Sequence, residues 1–207
     1  MKRHVGWIAG TAAAVLVAVG ALTYAVAEDG GASRTPSADS ADAGFARDMA
    51  VHHQQAVEMS YIVRDRTDDK EVRLLAYDIA QTQANQRGML LGWLDLWGLP
   101  KVSAQPPMTW MGMGDMPSAG DGSLMPGMAT DAQLKKLQGL SGRQAEVFYL
   151  QLMTAHHKGG IHMAEGCVDR CGVEVEKRLA QGMVDAQQSE IDLMTDLLKK
   201  RGAKPDA

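Results

Sequence analysis

Apolar positions recur at helical spacing along most of the chain. From Phe45 onward, Met49, His52, Ala56, Met59 and Val63 lie three or four residues apart and share one helix face. A charged stretch, residues 64–70, breaks the pattern. A second helix is predicted over residues 71–97, with Leu75, Ile79, Thr82, Gln86, Met89, Trp93 and Trp97 as its inward stripe, and Gly98 and Pro100 stop it. A short helical piece follows at 131–137, and Ser141-Gly142 separates it from two long helices at 143–171 and 173–201.

The long helices form a repeat. Shifting the chain by 104 residues places Met49-x-x-His52-His53 on Met153-x-x-His156-His157, without a gap. In the same register Met59 meets Met163, Gln83 meets Gln187 and Gly98 meets Gly202. There are 11 identities in 50 aligned positions, where average residue usage gives roughly three. The chain is therefore all-α: a duplicated helical hairpin, whose amphipathic faces are buried most simply as a four-helix bundle. The hairpins span residues 44–100 and 131–203, and the linker between them, residues 101–130, is long enough to expect a role for it.

The N-terminus sets the compartment. Lys2 and Arg3 precede a run, residues 5–26, with no acidic or basic side chain, and Ala25-Val26-Ala27 offers small residues before Glu28-Asp29. Residues 1–27 are a cleaved signal peptide or a membrane anchor. Either places the remainder outside the cytoplasm, secreted or held at the membrane. Residues 28–43, rich in Gly, Ser, Ala and Asp, read as a flexible tether. A net charge of -4 leaves no basic footprint for nucleic acid.

Composition changes the picture at one point: there are 14 Met against two Phe. Met49, His52, His53 and Met59 cluster on the first helix, and Met153, His156, His157 and Met163 repeat them on the third. An approximate two-fold would gather four imidazoles and four thioethers, a donor set suited to Cu(I) through sulfur and Cu(II) through nitrogen. Against this, one inward His is more often a bonded core residue, and Met at helical spacing is usually packing. Adjacent His pairs repeated in register are harder to explain so, because each buried unpartnered imidazole costs about 1–3 kcal/mol. A di-iron site wants Glu-x-x-His, which does not occur here, while zinc held by His alone leaves the methionines idle. Neutral imidazole binds metal, so such a site should weaken as pH falls through about 6.5.

The linker adds Met108, Met111, Met113, Met116, Met125 and Met128 among Gly, Pro and Ser. Gly and Pro argue against a helix or strand that would bury a stripe, so these thioethers read as a flexible wrap for Cu(I) or Ag(I), capped by Trp110. Cys167 and Cys171, four apart at a helix end before Gly172, fit a disulfide if the last turn unwinds, or a thiol pair on metal. Gly172 stands where a C-cap glycine belongs.

With Met153-x-x-His156-His157-x-Gly159-Gly160-x-x-Met163-Ala164, with Gln187-x-x-Glu190, and with His52-His53 beside Met49, Met59 and Gln83, the chain resembles the bacterial family catalogued as domain of unknown function 305 (DUF305), which includes CopM-like copper-binding proteins. That resemblance implies a ferritin-like bundle, an extracytoplasmic location and binding of copper or silver for tolerance or trafficking; metal ions, and with them a copper-transfer protein, are the expected partners. Gln54-Gln55-Ala56 stands where the second half has Lys158-Gly159-Gly160, so the first site is expected to be less open. The expectation is a binding protein and not an enzyme. The alternatives are a small metal-dependent oxidoreductase and a structural bundle with His and Met as core.

Overall fold

The computed structural model describes residues 35–114 and 121–205. The leader expected at 1–27, the start of the tether and Met116 lie outside them. Among the described residues there are five α-helices and no strand: α1 (Ala41–Arg64), α2 (Lys70–Leu96), α3 (Asp131–Gly139), α4 (Gly142–Arg170) and α5 (Glu174–Lys200), with a 3₁₀ turn at Thr109–Met111. None of these helices is long and apolar enough to cross a membrane.

Local chemistry sets the helix ends. Ser40 caps α1 by accepting the Ala43 N–H, so α1 starts within the segment expected as tether. Asp69 caps α2 through the Val72 N–H, and Thr130 and Gln133 close a reciprocal capping box on α3. Gly98, at φ +66°, supplies the left-handed residue that ends α2.

The two hairpins, α1–α2 and α4–α5, join through α1 and α4. Their apolar residues form two clusters. One takes Met59 and Val63 of α1, Leu75 and Ile79 of α2, Tyr149 and Met153 of α4, and Met194 and Leu198 of α5. The other takes Phe45 and Met49, Leu90 and Leu94, Met163 and Cys167, and Ala180 and Met183. The C-terminal half of α1 therefore packs with the N-terminal half of α4, and the two run antiparallel. Between the clusters each long helix turns a polar side chain inward: His52 and His53, Gln83, His156 and His157, and Gln187.

Two expectations need correction. The inward line of α2 beyond Ile79 runs through Gln83, Leu90 and Leu94, while Thr82 and Met89 are exposed and Trp93 and Trp97 half-buried. The assumed stripe advanced by three after Ile79, where the helix advances by four to keep facing its partner. The linker methionines do pack as core: Met108 and Met125 are buried, and Met111, Met113 and Met128 lie partly buried against the second cluster. Irregular backbone buries side chains here because the bundle supplies the surface. Asp48 on α1 accepts the Met108 N–H at 2.7 Å and the Trp110 indole N–H at 2.9 Å. Trp110 lies edge-on to Phe45, over Gly44, where a Cβ would come within 2.6 Å of the indole.

Candidate metal centre

His52 and His156, equivalent in the repeat, meet where α1 crosses α4, with ring centroids 3.7 Å apart and planes 31° from parallel. The His156 and His157 centroids are 6.3 Å apart. All four imidazoles are fully buried. With buried Gln83 and Gln187 they make a polar layer between the two apolar clusters.

The hydrogen bonds follow the pseudo-two-fold. His53 Nε2 pairs with Gln86 Oε1 at 2.9 Å, and His157 Nε2 with Glu190 Oε2 at 2.6 Å. Gln86 and Glu190 are themselves related by the 104-residue offset. His156 Nε2 donates to the His52 carbonyl at 3.0 Å, but His52 Nε2 faces the Pro126 carbonyl at 3.3 Å instead of its symmetry mate. The linker crosses one side of the layer only, and that breaks the symmetry.

This crossing explains the glycines. A Cβ on Gly159 would lie 1.9 Å from the Pro126 carbonyl oxygen, and one on Gly160 2.4 Å from Gln187 Oε1. On the first hairpin the residue matching Gly159 is Gln55, whose amide accepts the Ala129 N–H at 2.7 Å and donates to the Ala129 carbonyl at 2.9 Å. The two halves differ because one side chain ties the linker down while the missing one lets it pass.

A carbonyl or carboxylate at Nε2 requires the proton there, which fixes the tautomer and leaves the Nδ1 lone pair free. The buried Nδ1 atoms of His52, His53, His156 and His157 all lack a hydrogen-bond partner. Burial pushes the pKa of His52 and of His53 down to about 3, and that of His156 well below the ordinary value. His52, His53 and His156 are therefore neutral donors far below pH 6.5, so acid release near that pH, expected for free imidazole, does not apply to them. Among the described residues no three of their nitrogens lie within 4.8 Å of one another.

The stripe methionines do not gather as one set. Met49 and Met163 belong to one apolar cluster, and Met59 and Met153 to the other, on opposite sides of the imidazole layer. The antiparallel crossing sends equivalent residues to opposite ends. Trp110 lies edge-on to Phe45 and donates its indole N–H to Asp48. Sequence reasoning missed Pro126, Gln55 and Asp48; a backbone carbonyl and two ordinary surface-type residues carry no pattern.

Cys167 and Cys171 are joined in a disulfide, Cα atoms 4.8 Å apart, and α4 ends at Arg170 so that Cys171 is extended. Gly172 is not a left-handed cap; its N–H donates to Asp42 Oδ1 at 2.8 Å, as does the Val173 N–H at 2.7 Å. His162 is exposed, away from the layer.

The family model for DUF305, a domain of unknown function, matches residues 42–198. A crystal structure of a DUF305 protein from Streptomyces coelicolor, described as secreted, is 74% identical, with 83% of this chain and 99% of that one covered and a TM-score of 0.77. A DUF305 fragment from Deinococcus radiodurans is 29% identical over 77% and 96%, TM-score 0.64. CopM in its Cu(I)-bound form is 18% identical over 77% and 96%, TM-score 0.58, which establishes likeness of fold. No protein of curated function matches in sequence.

Proposed function

The chain belongs to the DUF305 family, and from that premise we propose that it is an extracytoplasmic protein binding soft metal ions, copper or silver, for tolerance or trafficking. The observation that carries this reading is the set of four buried imidazoles with their Nδ1 atoms free of any hydrogen bond. In a structural layer those atoms would each forfeit about 1–3 kcal/mol; a metal ion satisfies them. Their Nε2 partners, two carbonyls, Gln86 and Glu190, are the outer contacts that orient metal-binding histidines. Imidazole donors close together without a third ligand group beside them suit Cu(I) or Ag(I), which accept few donors. CopM structures with Cu(I), Ag and Cu(II) support the ion class by family analogy, and the secreted Streptomyces relative supports the location.

We read the role as binding rather than catalysis, a reading that the full burial of the four imidazoles supports. Met125 and Met128 flank Pro126, whose carbonyl faces His52, so thioethers lie along the segment that covers the layer. The test is Cu(I) affinity by chelator competition for wild type, for His52→Leu/His156→Leu, and for a linker variant with Met108, Met111, Met113 and Met125 changed to Leu. Loss of one or more equivalents in the histidine variant, with helix content kept, is expected. Unchanged stoichiometry in both variants would leave only a structural bundle.

A further inference from the structure

The two-fold that relates the hairpins exposes a second difference between them. Val63, Thr67 and Val72 of the first half correspond to Cys167, Cys171 and Glu176 of the second, and all six are buried. Val, Thr and Val meet the packing needs of this helix turn, so the fold does not demand three ligand-bearing side chains there. The sulfurs of Cys167 and Cys171 and a Glu176 carboxyl oxygen lie within 4.8 Å of one another.

The acids around this turn differ in the same way. Glu146, on the first hairpin's turn, accepts from Arg201 Nε at 2.7 Å and from the Thr67 hydroxyl. Its repeat mate Asp42 sits on the second hairpin's turn and faces Glu176 instead of a cation. Among the described residues neither Asp42 nor Glu176 has an ion-pair partner, and the fully buried Glu176 carboxyl meets the Asp42 carboxyl, a contact that favours its protonated form. Burial, and then the Asp42 charge, push Glu176 up to about 9, so it holds a proton at neutral pH. The acid at the first hairpin's turn is paired with a cation, Arg201; among the described residues the acid at the second's is not.

We propose that reduction of the Cys167–Cys171 disulfide opens a site for a borderline-soft divalent ion of the zinc(II) class, held by the two sulfurs and the Glu176 carboxylate. An external dithiol supplies the electrons. Its thiolate attacks the Cys171 sulfur, Cys167 leaves as a thiolate and takes a proton, and the second thiol of the reductant resolves the mixed disulfide. The reductant ends as a disulfide and the protein as two thiols. Binding M²⁺ then displaces three protons, two from the thiols and one from Glu176, and the ion with its three ligands carries one negative charge. Zinc(II) accepts thiolate and carboxylate together, whereas Cu(I) is satisfied by the two sulfurs and would leave Glu176 protonated. The site is separate from the histidine layer, and in the oxidised protein the disulfide keeps it shut.

The experiment compares the full chain, oxidised and after phosphine reduction, by native mass spectrometry with Zn(II) and by absorption with Co(II) as a spectroscopic probe. One additional Zn(II), and a thiolate-to-Co(II) charge-transfer band, are expected only after reduction. Both should persist in His52→Leu/His156→Leu, which separates this site from the histidine layer. Cys167→Ser/Cys171→Ser should abolish them, and Glu176→Gln, which keeps the shape and removes the anionic oxygen, should weaken Zn(II) at least tenfold. Three results overturn the proposal: equal Zn(II) uptake in both redox states, wild-type affinity in Glu176→Gln, or loss of helix on reduction that Zn(II) does not restore.

Discussion

Replacing Glu176 by Gln should make the protein markedly more sensitive to acidification between pH 7.5 and 5, by about 3 kcal/mol. His52 and His53 titrate at about 3 in the fold, from 6.5 when unfolded. Between those values the unfolded chain binds more protons, so their contribution is whole above pH 6.5 and is lost as pH falls toward 3. From pH 7.5 to 5 each costs about 2 kcal/mol, or about 4 kcal/mol together, and His156 shifts in the same direction. Glu176 works the other way. Its pKa rises from 4.5 to about 9 on folding, so its contribution is complete below 4.5 and lost as pH rises through 9. Over the same interval, acidification returns about 3 kcal/mol through it. Glu176 therefore offsets about 3 kcal/mol of the histidine loss in wild type, and Glu176→Gln leaves the whole histidine slope exposed. Against a typical total of about 5–15 kcal/mol, a 4 kcal/mol fall is readily measured. Urea unfolding followed by helical circular dichroism, with chelator present, gives the free energy at each pH, and any fixed cost of the substitution drops out of the difference. A change below about 1 kcal/mol in the variant would refute the reasoning, because the imidazoles would then not be held neutral in a dry layer.

Wild type should lose about 2 kcal/mol between pH 7.5 and 9 as Glu176 ionises, and Glu176→Gln should not, by the same urea assay. Gly159→Ala should destabilise by about 1–3 kcal/mol despite the better helix former, since its methyl meets the Pro126 backbone. Gly182→Ala on α5, with open space around it, should stabilise by about 0.5–1 kcal/mol; thermal melts of the two variants decide the contrast. Asp48→Ala should cost about 2–3 kcal/mol and red-shift tryptophan emission, as Met108 and Trp110 lose their shared acceptor. Copper bound by the histidine layer should remain bound at pH 5, which chelator competition at pH 7 and 5 can verify.

Much of the fold was legible because periodicity and repetition are properties of the chain itself. The step of three and four residues marks the helices, and the ungapped offset of 104 pairs Met49-x-x-His52-His53 with Met153-x-x-His156-His157 in the chain alone. The same offset relates Gln86 to Glu190, the side chains found on His53 and His157. Tertiary structure decided what depends on how the helices cross. The antiparallel meeting of α1 and α4 brought His52 against His156 but sent Met49 and its repeat mate Met153 to opposite clusters, which a helical wheel cannot reveal. It also made core of linker methionines that stand in no regular element, because burial is conferred by the opposing surface as much as by the residue's own backbone. The imidazole pKa values fall in the same class: dehydration of a side chain is a sum over neighbours from α1, α4 and the linker, distant in sequence and close only once the chain has folded.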